Sequence, residues 1–400
     1  MKTLVTLTKA SKLFIINKMK YDFNILSERR GTHSRKWDVK ENELPMWVAD
    51  MDFKVLPEIK EAILNAANID SYGYVYPTDN FFKAYQLWWK KRHDLDIDIN
   101  DMVYVSGVVS ALDSLINHLT NKGDAVLLLS PVYSGFYSVV NNNNRKLVTS
   151  NLLYQNEEWV IDYEDAEKKI VDNNVKVTIF CNPHNPTGKI WKKEEIQKFY
   201  EICKKHQVIF ISDEIHCDIV DPGYEYVPAL KVSDDIITCA APSKVFNLAG
   251  LQSAMAFIKN KDIKEQMQAA FYHDDIGEPN FFSEPATIAA YTYGDQYVDE
   301  LNAYLLKNKE YVKQFFKEKL PHVTVCSGHA TYLMWIDISY YQIPSDKFAD
   351  ELRKETGLFV HNGLHYGPNG TNYIRLNVAT SLENVKDGLN RLKAFLDSKS

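Results

Sequence analysis

The chain has 400 residues, of which 45% are hydrophobic and 25% charged, and its formal net charge is -7. This composition is typical of a soluble globular protein, and the length predicts two packed regions instead of one core. The negative charge argues against a nucleic-acid surface. No apolar run approaches the about 20 residues that cross a bilayer. We therefore expect neither nucleic acid nor a membrane as a partner.

The cysteines and the first residues bear on the cellular compartment. The count of 5 cysteines is odd and lacks Cys-x-x-Cys spacing, which predicts reduced thiols and argues against a disulfide framework or a metal site. Residues 1–18 carry lysines around an apolar run that is too short for a signal peptide. We expect them to be a disordered N-terminal extension, with Met19 as an alternative start, and we expect a cytoplasmic protein.

The predicted elements alternate short apolar runs with amphipathic stretches from residue 102 onward, the pattern of a mostly parallel sheet. The predicted fold class is α/β, with a large domain built on a mixed, mostly parallel sheet and a smaller α+β domain. Strands are predicted at Met102–Val105, 125–129, 175–180, 208–211, 236–240, 254–258, 332–338, 358–360 and 373–378. Helices are predicted at 192–206, 296–320, Ser345–Thr356 and from Leu382, and a turn at 141–144.

The expected domain organisation follows from these elements. After the extension at 1–18, we expect residues 19–60 to pack with the small domain and residues 61–295 to form the large domain. Residues 296–320, which contain no Gly or Pro, predict one long helix between the two domains. Residues 321–400 are expected to form the small domain.

Several predicted strands of the large domain run directly into polar or turn-forming residues. In an open α/β sheet, ligands lie outside the carboxyl ends of the strands. These residues therefore predict a single pocket. They are Ser106 with Gly107, the segment from Ser130 to Tyr133, the Asn-Pro-His-Asn-Pro-Thr-Gly sequence at 182–188, Asp213 with Glu214 and His216, and Ser243 with Lys244.

Lys244 is the most informative of these residues because it follows a proline at the end of an apolar strand. Lysine is strongly hydrated and usually lies on the surface. When it is fixed beside apolar groups such as Phe246 and Leu248, its pKa tends to fall and its neutral amine becomes available for imine chemistry. A surface lysine at a strand end is the ordinary alternative for an isolated Ser-Lys pair. The interpretation therefore depends on the other strand ends.

Asp213, Asn185 and Tyr133 indicate what such an amine would face. Asp213 directly follows a buried strand and needs a partner, because an unpaired buried carboxylate is costly. A protonated heterocyclic nitrogen is such a partner. Asn185 can donate to a phenolate on the same ring, although a turn residue is the alternative. Tyr133 can lie over a planar ring or pack in the core.

A phosphate site is predicted beside these residues. The backbone N–H groups of Gly107, Val108 and Val109 begin a predicted helix and can bind a phosphate dianion, although a plain tight turn is the alternative. The Ser243 hydroxyl is a further donor. An amine for an imine, an acid for a pyridinium, an amide for a phenolate and a helix start for a phosphate together describe pyridoxal 5′-phosphate.

The motifs that carry this chemistry resemble those of a known family. The Asn-Pro-Thr-Gly sequence at 185–188, Asp213 and Ser243-Lys244 resemble fold-type I pyridoxal-phosphate enzymes of the class I/II aminotransferase superfamily. Residues 30–38, 45–53, 213–218 and 241–252 resemble the MalY/PatB-type cystathionine β-lyases, which are C–S lyases. The resemblance extends from about Met19 to the C-terminus.

The resemblance implies roles for individual residues. Lys244 would form the imine with the cofactor, Asp213 would pair with the pyridine nitrogen, and Asn185 would bind the phenolate oxygen. Arg375 would bind the substrate α-carboxylate as a bidentate fork, the alternative being a surface arginine on a strand. Tyr133 would stack on the cofactor ring, and Ala49 would contact the substrate.

Four further positions follow from the resemblance or depart from it. A homodimer is implied, in which Tyr74 reaches the phosphate across the interface, with Tyr72 as a rival for that role. Gln252 stands where many aminotransferases have an arginine, as the lyase group allows. His216 stands where many have a tyrosine, and it either acts near the phenolate or packs in the core.

The implied activity is α,β-elimination from L-cystathionine, L-cysteine or a related S-conjugate, giving a thiol or hydrogen sulfide, pyruvate and ammonia. An aminotransferase that uses the same residues is the nearest alternative. A regulatory protein that holds the cofactor and binds a partner is an alternative from another class. A sugar-phosphate or nucleotide binder is disfavoured because no GxGxxG or GxxxxGK[ST] sequence is present.

Overall fold

The computed structural model describes residues 20–399, so the predicted extension at 1–18 lies outside the described residues. The helices are α1 Pro57–Ala67, α2 Asp79–His93, α3 Val108–Leu119, α4 Ser134–Asn142, α5 Tyr163–Asn173, α6 Lys193–Lys205, α7 Lys261–His273, α8 Ser283–Tyr293, α9 Asp295–Lys319, α10 Ser345–Thr356 and α11 Leu382–Asp397. The strands are β1 Leu44–Pro45, β2 Met102–Val105, β3 Ala125–Ser130, β4 Lys146–Asn151, β5 Leu153–Gln155, β6 Glu158–Val160, β7 Val175–Cys181, β8 Ile209–Asp213, β9 Ile237–Ala240, β10 Ala254–Phe257, β11 Thr324–Val325, β12 Leu333–Asp337, β13 Leu358–Phe359, β14 His361–Asn362 and β15 Tyr373–Asn377.

The large sheet has seven strands in the order β2-β10-β9-β8-β7-β3-β4. Only β10 runs antiparallel to its neighbours, β2 and β9, so the other six strands point the same way. Strands such as β2, β3 and β9 are buried at every position, as expected when helices cover both faces of a parallel sheet. The α/β prediction is confirmed, and the carboxyl ends of β2, β3, β7, β8 and β9 lie at one edge.

The predicted elements differ from the structure mainly at their ends. Strand β8 continues to Asp213, two residues beyond the predicted end, because the polar Ser212 and Asp213 still pair with β7 and β9. The predicted turn at 141–144 was wrong for its first half. Residues 141 and 142 close helix α4, and the Asn143 side chain and backbone N–H both donate to Val139 O.

The second sheet has four antiparallel strands in the order β11-β12-β15-β14. Helices α10 and α11 pack against it through a core that includes Phe348, Leu352 and Leu389. The N-terminal segment, which we define as residues 20–56, joins this region because β1 pairs in parallel with β13.

The predicted domain boundaries at residues 60, 295 and 320 remain a proposal. Within the described residues, no helix is long and apolar enough to span a bilayer.

Candidate active site

The carboxyl ends of three neighbouring strands bring the predicted cofactor residues together. Cys181 of β7 pairs with Asp213 of β8, which pairs with Cys239 of β9. Asn185 and Lys244 follow β7 and β9 by a few residues, and the Asn185 N–H donates to Cys181 Sγ at 3.4 Å. The structure therefore places Asn185, Asp213 and Lys244 along one edge of the sheet. We call these three residues the strand-end wall.

A sharp turn holds Asn185 in place. The Asn182-Pro183 and Asn185-Pro186 peptide bonds are cis. Gly188 has a φ of 68°, and a Cβ there would lie 2.7 Å from Ala330 O, so this position needs glycine for both its backbone angle and its contact. The Ala330 N–H in turn donates to Gly188 O at 2.9 Å, which ties the turn to the chain entering the second sheet.

Asp213 is a buried carboxylate with little local compensation. Its Oδ1 accepts a hydrogen bond from the Ile215 backbone N–H at 3.1 Å. Burial raises the pKa of Asp213 to about 6, although the Ile215 N–H and the charge of Lys244 act in the opposite direction. A carboxylate in this situation gains from a cationic partner, which a protonated pyridine nitrogen provides.

Lys244 lies on the turn that follows β9 and is partly buried. Its Nζ donates to Ala49 O at 2.9 Å, so the predicted neighbours Lys244 and Ala49 are in contact. Burial lowers the pKa of Lys244; the charges of Asp50 and Asp213 oppose this effect and that of Arg375 adds to it. The amine is therefore shifted toward the neutral form that imine formation and proton abstraction require.

Asn247 is a residue of this turn to which the sequence analysis gave no role. It adopts a positive φ of 60°, a conformation that asparagine tolerates better than most residues. Its Nδ2 donates to Met51 O at 3.0 Å, and its Oδ1 accepts from the Met51 N–H at 3.3 Å. Asn247 thus fastens the lysine turn to the N-terminal segment, which carries Ala49.

Arg375 is 2% exposed, so it is not a surface arginine. Its Nη1 donates to Asn185 Oδ1 at 3.1 Å and its Nη2 to Trp47 O at 2.6 Å. The guanidinium lies over the Tyr366 ring at 4.8 Å. Among the described residues it forms no ion pair, and its Nε has no partner. A buried cation in this state is costly, so the geometry fits an anionic ligand such as a carboxylate.

Two histidines beside Arg375 were missed by the sequence analysis. His361 pairs with Arg375 across β14 and β15, and its Nδ1 lies 2.7 Å from the Tyr366 hydroxyl. Burial, reinforced by the charge of Arg375, lowers the pKa of His361 to about 2. His365 Nε2 lies 2.7 Å from Ser134 Oγ. The sequence could identify His361 as a neighbour of Arg375 only once the pairing of β14 with β15 was known.

His216 is buried, and its ring meets the Tyr332 ring edge-on at 6.2 Å. Burial lowers its pKa well below the ordinary range, with the charges of Lys244 and Arg375 adding to the effect. Its Nδ1 has no partner among the described residues. The structure therefore places a neutral imidazole in the site region with one nitrogen left for a ligand.

Three of the residues predicted to bind phosphate lie at the start of α3. Gly107 precedes this helix, Val108 is buried and Val109 exposed, and no side chain caps the first turn. The Ser243 hydroxyl has no hydrogen-bond partner in the described chain. These donors are therefore available to an anion, as the prediction requires.

Tyr133 and the two N-terminal tyrosines differ in their placement. Tyr133 follows β3, lies edge-on to Phe136 at 5.7 Å, and has a pKa raised by burial. Tyr74 is fully exposed and Tyr72 is 57% exposed, with Tyr72 packing on Phe281 and Phe282. Within one chain, Tyr74 does not contact the strand-end wall.

The residues fit pyridoxal 5′-phosphate in their chemistry. The site offers a buried acid, an amine shifted toward its neutral form, a helix start without a cap, and a buried guanidinium without a counter-ion. Within residues 20–399, each of these features lacks a full set of partners. A ligand with a basic ring nitrogen, an aldehyde and a phosphate would supply partners for the acid, the amine and the helix start. The carboxylate of a substrate would supply the counter-ion for the guanidinium.

Comparison with known proteins identifies the family. Residues 42–392 match the model of the aminotransferase class I and II family. The chain belongs to this family. It is 37% identical over 386 residues to the cystathionine beta-lyase PatB of Bacillus subtilis (strain 168), covering 94% of this chain and 100% of that protein.

Solved structures agree with this assignment. The PLP-bound C–S lyase from Staphylococcus hominis superimposes with a TM-score of 0.89 at 33% identity, covering 94% of this chain and 98% of that one. Cystalysin from Treponema denticola, which contains pyridoxal 5′-phosphate, gives a TM-score of 0.90 at 32% identity, covering 96% and 100%. The predicted family, fold type and cofactor are confirmed, and the chain is an enzyme of the C–S lyase group.

Proposed function

We propose that the chain is a pyridoxal-phosphate-dependent carbon–sulfur β-lyase whose favoured substrate is L-cystathionine or a related cysteine S-conjugate. The reaction consumes the conjugate and one water and releases a thiol, pyruvate and ammonia. L-cysteine as substrate would give hydrogen sulfide. The observation that carries the proposal is the juxtaposition of Arg375, Asn185 and the strand-end lysine and aspartate in a chain that belongs to this family.

When bound, pyridoxal phosphate supplies the electron sink on which loss of the Cα proton depends. Asp213 would hold the ring nitrogen, Asn185 the phenolate oxygen and Ser243 the phosphate. The backbone N–H groups of residues 107–109 would also hold the phosphate, and Tyr133 would lie against the ring.

The chain's own residues then bind the substrate and move its proton. Arg375 presents its fork to the α-carboxylate, and its contacts with Asn185 Oδ1 and Trp47 O fix the plane of the guanidinium. The Lys244 amine accepts the Cα proton as a general base, for which a lowered pKa is favourable. The Ala49 carbonyl, 2.9 Å from that amine, orients it on the substrate side.

We also propose a homodimer in the cytoplasm. Exposed tyrosines and an exposed isoleucine cluster at Ile69, Tyr72, Tyr74 and Tyr76. A second copy that covers this surface would bury the apolar area, and Tyr74, or Tyr72 as its rival, would then reach the partner's phosphate. The five free cysteines, all buried, support a reducing compartment.

The decisive experiment is incubation of the purified protein with pyridoxal phosphate and L-cystathionine, without any keto acid. We expect a yellow absorption band, and pyruvate and homocysteine in equal amounts. Product that forms only when a keto-acid acceptor is supplied would contradict the lyase proposal and indicate an aminotransferase. A protein that never acquires the yellow band would contradict the assignment of the cofactor site.

A further inference from the structure

We propose that Arg35 selects cysteine S-conjugates whose sulfur-borne group carries an anion, such as a second carboxylate. The inference rests on the proposed lyase function and concerns the leaving-group end of the same site. It is carried by the position of Arg35 on Trp47 and by the lack of any counter-ion for Arg35 among the described residues.

Trp47 connects Arg35 to the residue that binds the α-carboxylate. The Trp47 carbonyl accepts the Arg375 Nη2 hydrogen bond at 2.6 Å. Its indole stacks on Phe359 at 4.8 Å and lies 5.0 Å from the His361 ring. The Arg35 guanidinium lies 6.0 Å from the same indole. The two guanidiniums are therefore separated by one tryptophan, with Arg375 buried and Arg35 exposed.

Arg35 differs from the other basic side chains around it. Arg29 pairs with Asp50 at 2.6 Å, and Lys36 pairs with Asp52 at 2.9 Å. Arg30 donates to backbone carbonyls, among them Glu43 O at 2.7 Å. Arg35 makes no hydrogen bond or ion pair within residues 20–399. Its neighbours hold the N-terminal segment in place, whereas the Arg35 charge is left for a ligand.

The electrostatics place the Arg35 charge on the substrate side. The charge of Arg35 acts to lower the pKa values of Tyr133, His361 and His365. For both histidines burial is the larger cause, Arg375 lowers the pKa further, and no acidic group acts in the opposite direction. Because the charges that act on these two histidines are cationic, this part of the site attracts an anion and repels a cation.

The assignment fits the shape of a dianionic conjugate. Arg375 engages the α-carboxylate, and in this proposal a second anion on the sulfur substituent binds the exposed Arg35, which lies 6.0 Å from the Trp47 indole. A charge-assisted hydrogen bond from a guanidinium to a carboxylate that is partly screened by solvent corresponds to about a tenfold change in affinity. Arg35 is therefore a specificity-determining residue and takes no part in the proton transfers.

The test compares an anionic conjugate, its uncharged isostere and a cationic conjugate on the holoenzyme. S-(2-carboxyethyl)-L-cysteine is anionic, S-(3-methylbutyl)-L-cysteine is its uncharged isostere, and S-(2-aminoethyl)-L-cysteine is cationic. Initial rates of pyruvate formation give kcat and KM for the natural protein, Arg35→Gln and Arg35→Glu. Lys40→Gln removes an exposed positive charge from the same segment and serves as the matched control.

We expect the natural protein and Lys40→Gln to prefer the anionic conjugate over its isostere about tenfold in kcat/KM. Arg35→Gln should abolish that preference through KM, with kcat/KM for the isostere within about twofold of the natural protein. Arg35→Glu should favour the cationic conjugate. The inference is overturned if Arg35→Gln leaves the preference intact or lowers kcat/KM equally for all three conjugates. Absence of pyruvate from every conjugate would overturn the proposed function and the inference with it.

Discussion

The two sides of the candidate site are built in different ways. The strand-end wall consists of residues that each follow their own strand, and the parallel register of β7, β8 and β9 aligns them. The opposite side, which we call the arginine wall, consists of Arg375, Trp47, His361 and Tyr366. Its central contact joins residues 328 positions apart in the chain. One wall is assembled by local order along a sheet, and the other by long-range docking of the N-terminal segment on the second sheet.

The two walls also differ in charge. The strand-end wall pairs an acid whose pKa is raised by burial with an amine whose pKa is lowered by burial, which suits proton transfer. The arginine wall holds a buried cation that has no acidic partner in the part of the chain that the structure describes, which suits binding of an anion. Damage to the first wall is therefore expected to lower kcat. Damage to the second is expected to raise KM or to loosen the docked segment.

The largest effect is expected for Lys244→Ala. Loss of the general base should lower pyruvate formation at saturating substrate by about 100- to 10,000-fold, with the folded structure retained. Circular dichroism and steady-state kinetics measure both quantities. Lys204→Ala, which alters a lysine 64% exposed on α6, is the matched control and should leave kcat unchanged. Substantial turnover by Lys244→Ala would show that the lysine of the strand-end wall is not needed for the reaction.

The docking of the N-terminal segment is tested by Lys36→Met. Lys36 and Asp52 are each 1% exposed and lie 2.9 Å apart, so the substitution removes the nearer cation and leaves the buried carboxylate only Arg29 Nη1, at 4.0 Å. We expect the free energy of unfolding to fall by about 3–5 kcal/mol, measured by urea denaturation. The control is Lys90→Met, which breaks an exposed pair with Asp96 and should cost at most about 1 kcal/mol. Equal effects of the two variants would show that the segment does not depend on its buried pair.

The sequence pattern predicted the residues of the strand-end wall because each of them lies at or just after the end of its own strand. No long-range contact is needed to identify them. A continuous apolar run followed by a polar residue marks both the strand and the residue at its carboxyl end, as at Asp213. Six of the seven strands of the large sheet and its mostly parallel character were predicted for the same reason, whereas β4, which is not a continuous apolar run, was missed. The roles of Arg375, Ala49 and Tyr74 depended on the family resemblance, whereas those of the residues at the strand ends were also argued from their chemistry. All of these roles are still proposals for this chain.

The arginine wall was predicted only at Arg375. Its partners depend on which backbone atoms of the N-terminal segment reach β15, and a carbonyl such as Trp47 O has no signature in the sequence. His361 becomes a neighbour only through the pairing of β14 with β15. Asn247 lies within the 241–252 motif, but its hydrogen bonds to Met51 form only because the N-terminal segment docks on the lysine turn. The local sequence pattern does not predict that contact.

Arg375→Lys tests the role of the arginine wall in substrate binding. Lysine keeps the positive charge but loses the planar fork that contacts both Asn185 and Trp47. We expect KM for L-cystathionine to rise by about 100-fold, with a smaller change in kcat, because the general base is unaffected. A fall in kcat with an unchanged KM would indicate that Arg375 acts through Asn185 on the strand-end wall instead of binding the substrate.

The smallest effect is expected from the titration of Asp213 in the cofactor-free protein. Its pKa is about 6 in the folded chain against an ordinary value of 3.8, so between these values the folded state binds more protons than the unfolded state. Stability must therefore fall as the pH rises, by about 2 kcal/mol between pH 4 and pH 6. Asp213→Asn removes this contribution, whereas the raised pKa of Glu214 acts in both proteins and cancels. Urea denaturation across this range should show the variant gaining stability relative to the natural chain as the pH rises. If the difference stayed constant with pH, a cation such as Lys244 would already neutralise the carboxylate, and the acid would not be free to pair with a ring nitrogen.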